Sequence, residues 1–282
     1  MKLLSAAAIR RCLIADPGHL IISADFDQIE LRVAAALAGE QVLIDAAKRG
    51  EHLIKASAVQ LFGENYTADE YRYTKNVTYG WLFGGGAQTL ADQAGIPLGE
   101  AYTITRDYEN RMEALTKYKR KRVDGLLRDA LGYHGYQHYR RLRSRMFNYK
   151  SDTPQGRAAR KAVQVEIDRL CYGKYGFVET HFGRRLRVDA SKAYTIVNYE
   201  VQCTAADLFK RALLDVMDDP RLEPTVLLPV HDEILGQARK KKAQWTAERY
   251  GEVMSRKFRG VPITASGKVY GKSWGHGYSN AA

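Results

Sequence analysis

Three carboxylates, Asp25, Asp27 and Glu30, fall within six positions in "LIISADFDQIELRVAAALAG" (residues 20–39), where a strand-like apolar run meets an Ala/Leu-rich helix former. Asp27 reads as a helix cap, with Glu30 three positions later as the acidic partner of a capping box. Asp25 has no such reading. It ends an apolar strand, where an unpaired charge is costly, so it requires a cation. A second pair, Asp232 and Glu233, lies beside the apolar run of "TVLLPVHDEILGQ" (225–237). If the two strands are neighbours in one sheet, Asp25 and Asp232 face each other across it. Two close carboxylates raise each other's pKa unless a divalent cation sits between them. Hard oxygen ligands favour Mg²⁺, which keeps positions open for water and substrate phosphates. Two such ions can flank an in-line phosphoryl transfer. Taken singly, each acid reads as a turn residue without a partner.

A third group adds cations and rings. In "EYRYTKNVTYGWLFGGG" (70–86), Arg72, Lys75, Tyr79 and Phe83 recur at spacings of three, four and four, which places them along one face of a helix. Such a face can hold a triphosphate on Arg72 and Lys75 and stack a base on Tyr79. The pattern alone more often means a core-facing aromatic stripe with solvated charges at its margin. A fourth segment, 117–150, is dense in Lys, Arg and Tyr and includes Arg140, Arg141, Arg143 and Arg145. Interleaved basic and tyrosine side chains suit backbone contact and stacking on single-stranded template. A solvated helical pair accounts for the segment equally well.

The elements that must position these groups are legible in outline. A strand over 20–24 leads into a helix ending near Gly39, and a mostly helical region follows to 167 with a break around 63–67. "GFVETHFGRRLRV" (176–188) reads as a hairpin turning at Phe182 and Gly183. A helix covers 194–217, and two strands flank His231-Asp232-Glu233, with Pro229 arguing against a fully paired central strand. An amphipathic helix over 244–258 and a strand over 262–269 close the chain. Strands at both ends with helices between them predict an α+β fold, a sheet domain interrupted by a helical insertion. The 282 residues carry a net charge of +12, with 45% hydrophobic and 27% charged residues. That composition is globular and raises the odds of a polyanionic partner. Three widely spaced cysteines fit neither a disulfide framework nor a zinc site, which points to a reducing compartment. The opening "MKLLSAAAIRR" is cut short as a signal peptide by Arg10 and Arg11, and no stretch is long enough to span a bilayer. The expectation is a soluble, cytoplasmic protein.

"DFDQIELR" (25–32), the 75–80 helix segment and "VHDE" (230–233) resemble, in order, the three polymerase motifs of family A DNA polymerases, the bacterial DNA polymerase I type. "GFVETHFGRRL", "NYEVQCTAADLFKRA" (198–212) and "SGKVYGKSW" (266–274) resemble further family segments, and the short spacing resembles bacteriophage members. The resemblance implies an antiparallel palm sheet with a helical fingers insertion: palm over 1–38 and 191–282, fingers over 39–190 with an added basic segment at about 117–150. It implies two Mg²⁺ ions on Asp25, Asp232 and the carbonyl of Phe26, with primer–template DNA and dNTPs as partners. Lys75 would contact the triphosphate and supply a proton to pyrophosphate. Glu30 would be the steric gate against a ribose 2′-hydroxyl. Arg72, Tyr79, Phe83, Gln28 and His231 join it around the substrate, with Glu233 beside the primer terminus. Asn198, Gln202, Arg184 and Arg185 would contact DNA. Glu30 and Glu233 favour DNA over RNA synthesis, since single-subunit phage RNA polymerases lack the first and carry serine at the second.

The chain also departs from the family pattern. Tyr71 stands where the family has arginine, which leaves Arg72 as the substitute. Phe83 replaces a tyrosine, so a hydroxyl bond to the gate is lost. Tyr194 stands where arginine is common. Tyr79, phenylalanine in many bacterial members, implies weak discrimination against dideoxynucleotides. The first motif lies almost at the N-terminus, so thumb and exonuclease domains are expected to be absent. The expectation is a truncated or split polymerase, with a separate chain supplying thumb or exonuclease. The rival expectation is a non-catalytic DNA-binding polymerase subunit.

Overall fold

Apolar runs punctuated by glycine set the elements of the chain, which a computed structural model describes over residues 6–150, 153–223 and 226–278. In order they are α1 (Ala6–Arg11), β1 (His19–Phe26), α2 (Ile29–Ala38), α3 (Gln41–Lys48), α4 (Leu53–Phe62), α5 (Ala68–Leu82), α6 (Ala87–Ala94), α7 (Leu98–Arg111), α8 (Glu113–Phe147) and α9 (Pro154–Cys171). Then come β2 (Tyr175–Glu179), β3 (Arg185–Asp189), α10 (Ile196–Met217), β4 (Val226–Val230), β5 (Glu233–Arg239), α11 (Ala243–Met254), β6 (Arg256–Phe258), β7 (Val261–Ile263) and β8 (Ala265–Gly271). The fold is α+β. Among the described residues no helix is long and apolar enough to cross a membrane.

The elements gather into two compact units. One takes the chain up to Leu37, Val42–Leu53 and everything from Thr204 onward; the other takes Ala38–Gln41 and Ile54–Cys203. These limits differ from the 1–38, 39–190 and 191–282 division read from sequence, for local reasons. Helix α3 buries Leu43, Ala46 and Ala47, and the Leu53 N–H donates to Gln28 Oε1 at 2.9 Å, which ties 42–53 to the sheet unit. Glu40 accepts from the Leu115 N–H at 3.2 Å, which ties 38–41 to the helical one. The later division falls inside α10.

The sheet unit is built on four antiparallel strands in the order β4-β5-β1-β8. β1 is central, and Ile21, Ile22 and Ala24 are fully buried. Helix α11 packs on β1 and β8. A Cβ on Gly267 would stand 1.9 Å from the Ala247 carbonyl oxygen, so the helix lies this close only over glycine. Ile21, Leu235 and Trp274 form a second cluster with Leu13, Ala15, Val230 and Tyr270. β4 is an edge strand with an irregular register between Val226 and Leu228, consistent with Pro229; Thr225, at the head of the expected strand pair, lies outside the described residues.

Two expectations for this unit need correction. The single closing strand is in fact the β6–β7 hairpin followed by β8, and α11 stops at Met254. Arg259 and Gly260 both take positive φ (47° and 79°), the signature of a tight two-residue turn between strands too short to show as an alternating pattern. Asp27 is not a helix cap. Its carboxylate accepts from Thr264 Oγ1 at 3.0 Å and Ser266 Oγ at 3.1 Å. Helix α2 begins at Ile29, so Gln28, at φ 54°, stands where a cap would, and Glu30 falls one position short of a capping-box partner.

In the helical unit, α5 starts from a capping box after the expected break. The Glu70 N–H donates to Thr67 Oγ1, and Glu70 Oε2 accepts from the Thr67 N–H at 2.7 Å. Its buried face is Thr74, Val77, Thr78, Trp81 and Leu82, with Trp81 against the fully buried Tyr108 at 6.2 Å between rings. Helix α8 runs 35 residues but breaks at Gly132 (φ 66°, ψ 176°), which makes it two arms. The hairpin β2–β3 turns through Gly183 (φ 79°), as its sequence predicts.

Candidate active site

The sheet unit brings acids together at one end of β1. Asp25 is the register partner of Glu233, and the Phe26 N–H donates to the Asp232 carbonyl at 3.3 Å. Asp232 sits in the β4–β5 turn behind His231, which is exposed at φ 55°, a conformation few residues with a Cβ adopt. Beneath Asp25 on the same strand face lie Ser23 and Ile21, both fully buried. Burial, then repulsion from Asp232 and Glu233, pushes the Asp25 carboxyl up to about 7; Lys268, across the sheet from Ser23, pulls the other way. Burial raises Asp232 as well, opposed by a hydrogen bond with Asp25 and by His231. The two side chains are therefore within hydrogen-bond reach and titrate as a unit. Asp25 Oδ1 is buried without a hydrogen-bond partner among the described residues.

That orphaned oxygen, in a donor set made only of hard carboxylate oxygens, fits a divalent cation between the two acids. Among the described residues no cluster of three or more His, Cys, Asp or Glu side chains is arranged to hold a metal. A cation here would complete its shell from backbone carbonyl, water or phosphate, as Mg²⁺ commonly does. Glu233 is committed elsewhere: it is buried and accepts from the Tyr270 hydroxyl at 2.9 Å. Gln28 spends its amide oxygen on Leu53. Glu30 is half-buried in the first turn of α2.

The helical unit carries the remaining residues. Arg72, Lys75 and Phe83 are exposed and Tyr79 half-buried, opposite the buried face of α5. The core-facing reading of this stripe is therefore wrong. Tyr79 and Phe83 stack at 6.0 Å and 14°. Arg72 is bridged to Asp69 at 2.9 Å, whereas Lys75 has no ion pair among the described residues. Gly84 takes φ 88°, and a Cβ there would stand 2.5 Å from the Tyr194 ring, so Tyr194 closes over the end of α5. On α10, Asn198 and Gln202 lie one turn apart. Asn198 Oδ1 is buried without a partner among the described residues, and Gln202 is exposed. The backbone N–H of Arg184 donates to Thr180 Oγ1, and the Arg185 guanidinium lies over the Phe177 ring at 4.8 Å. Arg145 is paired with Glu166, Arg141 is exposed, and Arg140 and Arg143 line a cleft of α8.

Sequence reasoning missed Lys268, Tyr270, Thr264 and Ser266 around the acids. A signal existed for part of this set: period-two alternation in "ASGKVYG" puts Ser266 and Lys268 on one face. Nothing local marks Thr264.

The four-stranded antiparallel sheet carries its paired acids at one end, and a second, helical unit accompanies it. A family model described as DNA polymerase family A matches residues 2–168 and 171–276, and the chain belongs to that family. The DNA polymerase of Mycobacterium phage D29 is 30% identical over 272 residues, which cover 96% of this chain and 37% of the relative. DNA polymerase I of Chloroflexus aurantiacus is 30% identical over 285 residues, covering 94% of this chain and 25% of the relative. The chain thus spans 37% and 25% of the length of these two relatives. A solved structure described as the POL domain of Pol1 from M. smegmatis, in complex with DNA primer-template and dNTP, matches with a TM-score of 0.69 and 24% identity. The match covers 96% of this chain and 42% of that one and attests the fold.

Proposed function

We propose that this chain carries out template-directed DNA synthesis, adding deoxynucleotides to a primer 3′ end, with the sheet unit as palm and the helical unit as fingers. The single observation that carries the reading is the adjoining buried pair Asp25–Asp232 with an orphaned oxygen at the end of β1. Asp25, Asp232 and the Phe26 carbonyl would hold two magnesium ions, which when bound neutralise triphosphate charge and ease loss of the primer 3′-hydroxyl proton. The chain's own groups position and exclude. Lys75, exposed and without an ion pair among the described residues, binds triphosphate oxygens and donates a proton to the leaving pyrophosphate. Arg72 adds a second cation once it releases Asp69.

Glu30 crowds a ribose 2′-hydroxyl, and Tyr79 packs on the incoming sugar. Phe83 stacks behind Tyr79 without a hydroxyl to brace the gate, so the gate is looser than in the family pattern. Tyr270 holds Glu233 beside the primer terminus, with His231 as its neighbour in the turn. Asn198 and Gln202 read the minor groove of primer or template, and Arg184 and Arg185 contact the backbone. The site of action is the cytoplasm of a cell, a host cell if the chain is a phage's, as the likeness to phage D29 supports.

Primer extension with Mg²⁺ and four dNTPs tests this, run with the chain alone and with a thumb-bearing partner. Asp25→Ala and Asp232→Ala should each lower extension by on the order of a thousandfold, several kcal/mol of transition-state stabilisation. Full activity in either variant refutes the assignment. DNA binding without extension in both formats would favour a non-catalytic subunit.

A further inference from the structure

The break at Gly132 does more than shorten a helix. It sets the two arms of α8, 113–131 and 133–147, around an open cleft of about 760 Å³, completed by Trp81 of α5 and Glu109 of α7. That volume lies in the range of ligand-binding pockets. Its charge is one-sided. Lys119, Arg120, Arg128, Arg140 and Arg143 line it against only Glu109 and Asp124. Among the described residues none of these five cations makes an ion pair. Arg122 and Arg145, on the same helix but outside the cleft, are paired with Glu200 and Glu166.

Lys119 shows the cost of this arrangement. It is mostly buried, its ammonium donates to the Trp81 carbonyl at 2.7 Å and lies 4.5 Å from the Trp81 ring centre, and burial holds its pKa down at about 8. The walls are aromatic. Arg128 lies over Tyr136 at 5.0 Å and Arg143 over Phe147 at 5.2 Å, while Tyr136 and Tyr139 are near-parallel at 6.4 Å. Guanidinium groups over ring faces still have N–H groups to offer phosphate, and ring faces at the same opening can stack a base.

We infer that this cleft binds a single strand of nucleic acid, with its phosphates on Lys119, Arg128, Arg140 and Arg143 and a base stacked against Tyr139 or Phe147. A strand suits the site better than a free nucleotide, because five cations spread over two arms exceed what one phosphate group contacts. That the strand is unpaired template ahead of the primer rests on the proposed function; the binding itself does not. The inference also divides the four arginines of the basic segment. Arg140 and Arg143 belong to the site, and Arg141 and Arg145 do not.

The test is fluorescence anisotropy of a labelled dT16 oligonucleotide with the whole chain, in EDTA without dNTPs, across a salt series. Because no catalysis is involved, a failure of the polymerase reading leaves this result interpretable. The double variant Arg140→Ala/Arg143→Ala should weaken binding about tenfold or more and flatten the slope of log Kd against log salt by about 1.4, two single-strand phosphates. Arg141→Ala/Arg145→Ala should stay within about twofold. Tyr139→Leu should weaken binding about fivefold or more with the slope kept. Arg128→Gln, at an exposed position, provides a separate test should the first double variant melt early. Equal losses in the two double variants, or none in either, overturn the inference. Displacement of the oligonucleotide by dTTP at equal concentration overturns the strand assignment in favour of a free-nucleotide site.

Discussion

The end of the four-stranded sheet and the cleft of α8 are opposite electrostatic cases. At the first, two acids are packed together and burial raises both carboxyls. At the second, cations are gathered with too few acids. Elsewhere some charges are closed in pairs. Asp219 accepts two bonds from Arg249, at 2.8 and 2.6 Å, and Glu200 holds Arg122 at 2.9 Å. Closed pairs contribute to the fold and leave nothing for a ligand. Open charges of one sign cost stability in the empty protein and are compensated by an oppositely charged partner. The proposed partners each carry the opposite sign: a divalent cation at the sheet, a polyanion at the cleft.

A large effect, second only to loss of the paired acids, is expected at a cation that lies in neither place. Lys75→Ala should reduce the maximal rate of primer extension about a hundredfold to a thousandfold, the usual range for loss of a general acid that also binds charge. A variant affected only in nucleotide affinity would make Lys75 a simple phosphate anchor.

The next two predictions test whether open charge costs stability. In the folded, metal-free protein the Asp25 pKa lies above its unfolded value, so the stability gained by protonation is present below about pH 4 and lost as pH rises through about 7. Asp25→Asn should therefore match wild type at low pH and exceed it above pH 7 by about 1–2 kcal/mol, a figure reduced for partial exposure. A thermal melt series from pH 5 to 8.5 checks this, and a gap that fails to widen with pH contradicts it. Lys119 is the mirror case. Its folded pKa lies below the unfolded one, so the fold pays for the ammonium at neutral pH and is relieved as pH rises from about 8 to beyond 10. Lys119→Met should be more stable than wild type by about 1 kcal/mol at pH 7, after the lost bond to Trp81, with the advantage vanishing above pH 10. A destabilised variant at pH 7 would make Lys119 a structural residue and weaken the comparison.

Much of the sheet end was legible in the sequence. The run into Asp25 forms β1, the strand after His231-Asp232 forms β5, and the two pair, because a central strand buried on both faces shows as continuous apolar residues. The α5 stripe was legible as a face but not as an exposed one, since spacing fixes which residues share a side and not what covers it. The partners of Asp27 and Glu233 come from 264–270, more than two hundred and about forty positions away respectively, and no local pattern encodes such pairing. The cleft was half legible. Its lysines, arginines and tyrosines stood out, but their division into open and paired groups depends on Gly132 bending the helix and on Glu166 and Glu200 reaching two of the arginines.

The central claim, that Asp25 and Asp232 act as one metal-binding unit, is tested most directly by a double-mutant cycle on primer extension. Asp25→Asn, Asp232→Asn and the double variant are compared at saturating Mg²⁺. Residues that serve a shared centre are non-additive. Each single variant should lose nearly all activity and the double variant scarcely more. Multiplying losses, or substantial activity in either single variant, would mean the two carboxylates do not hold a common site.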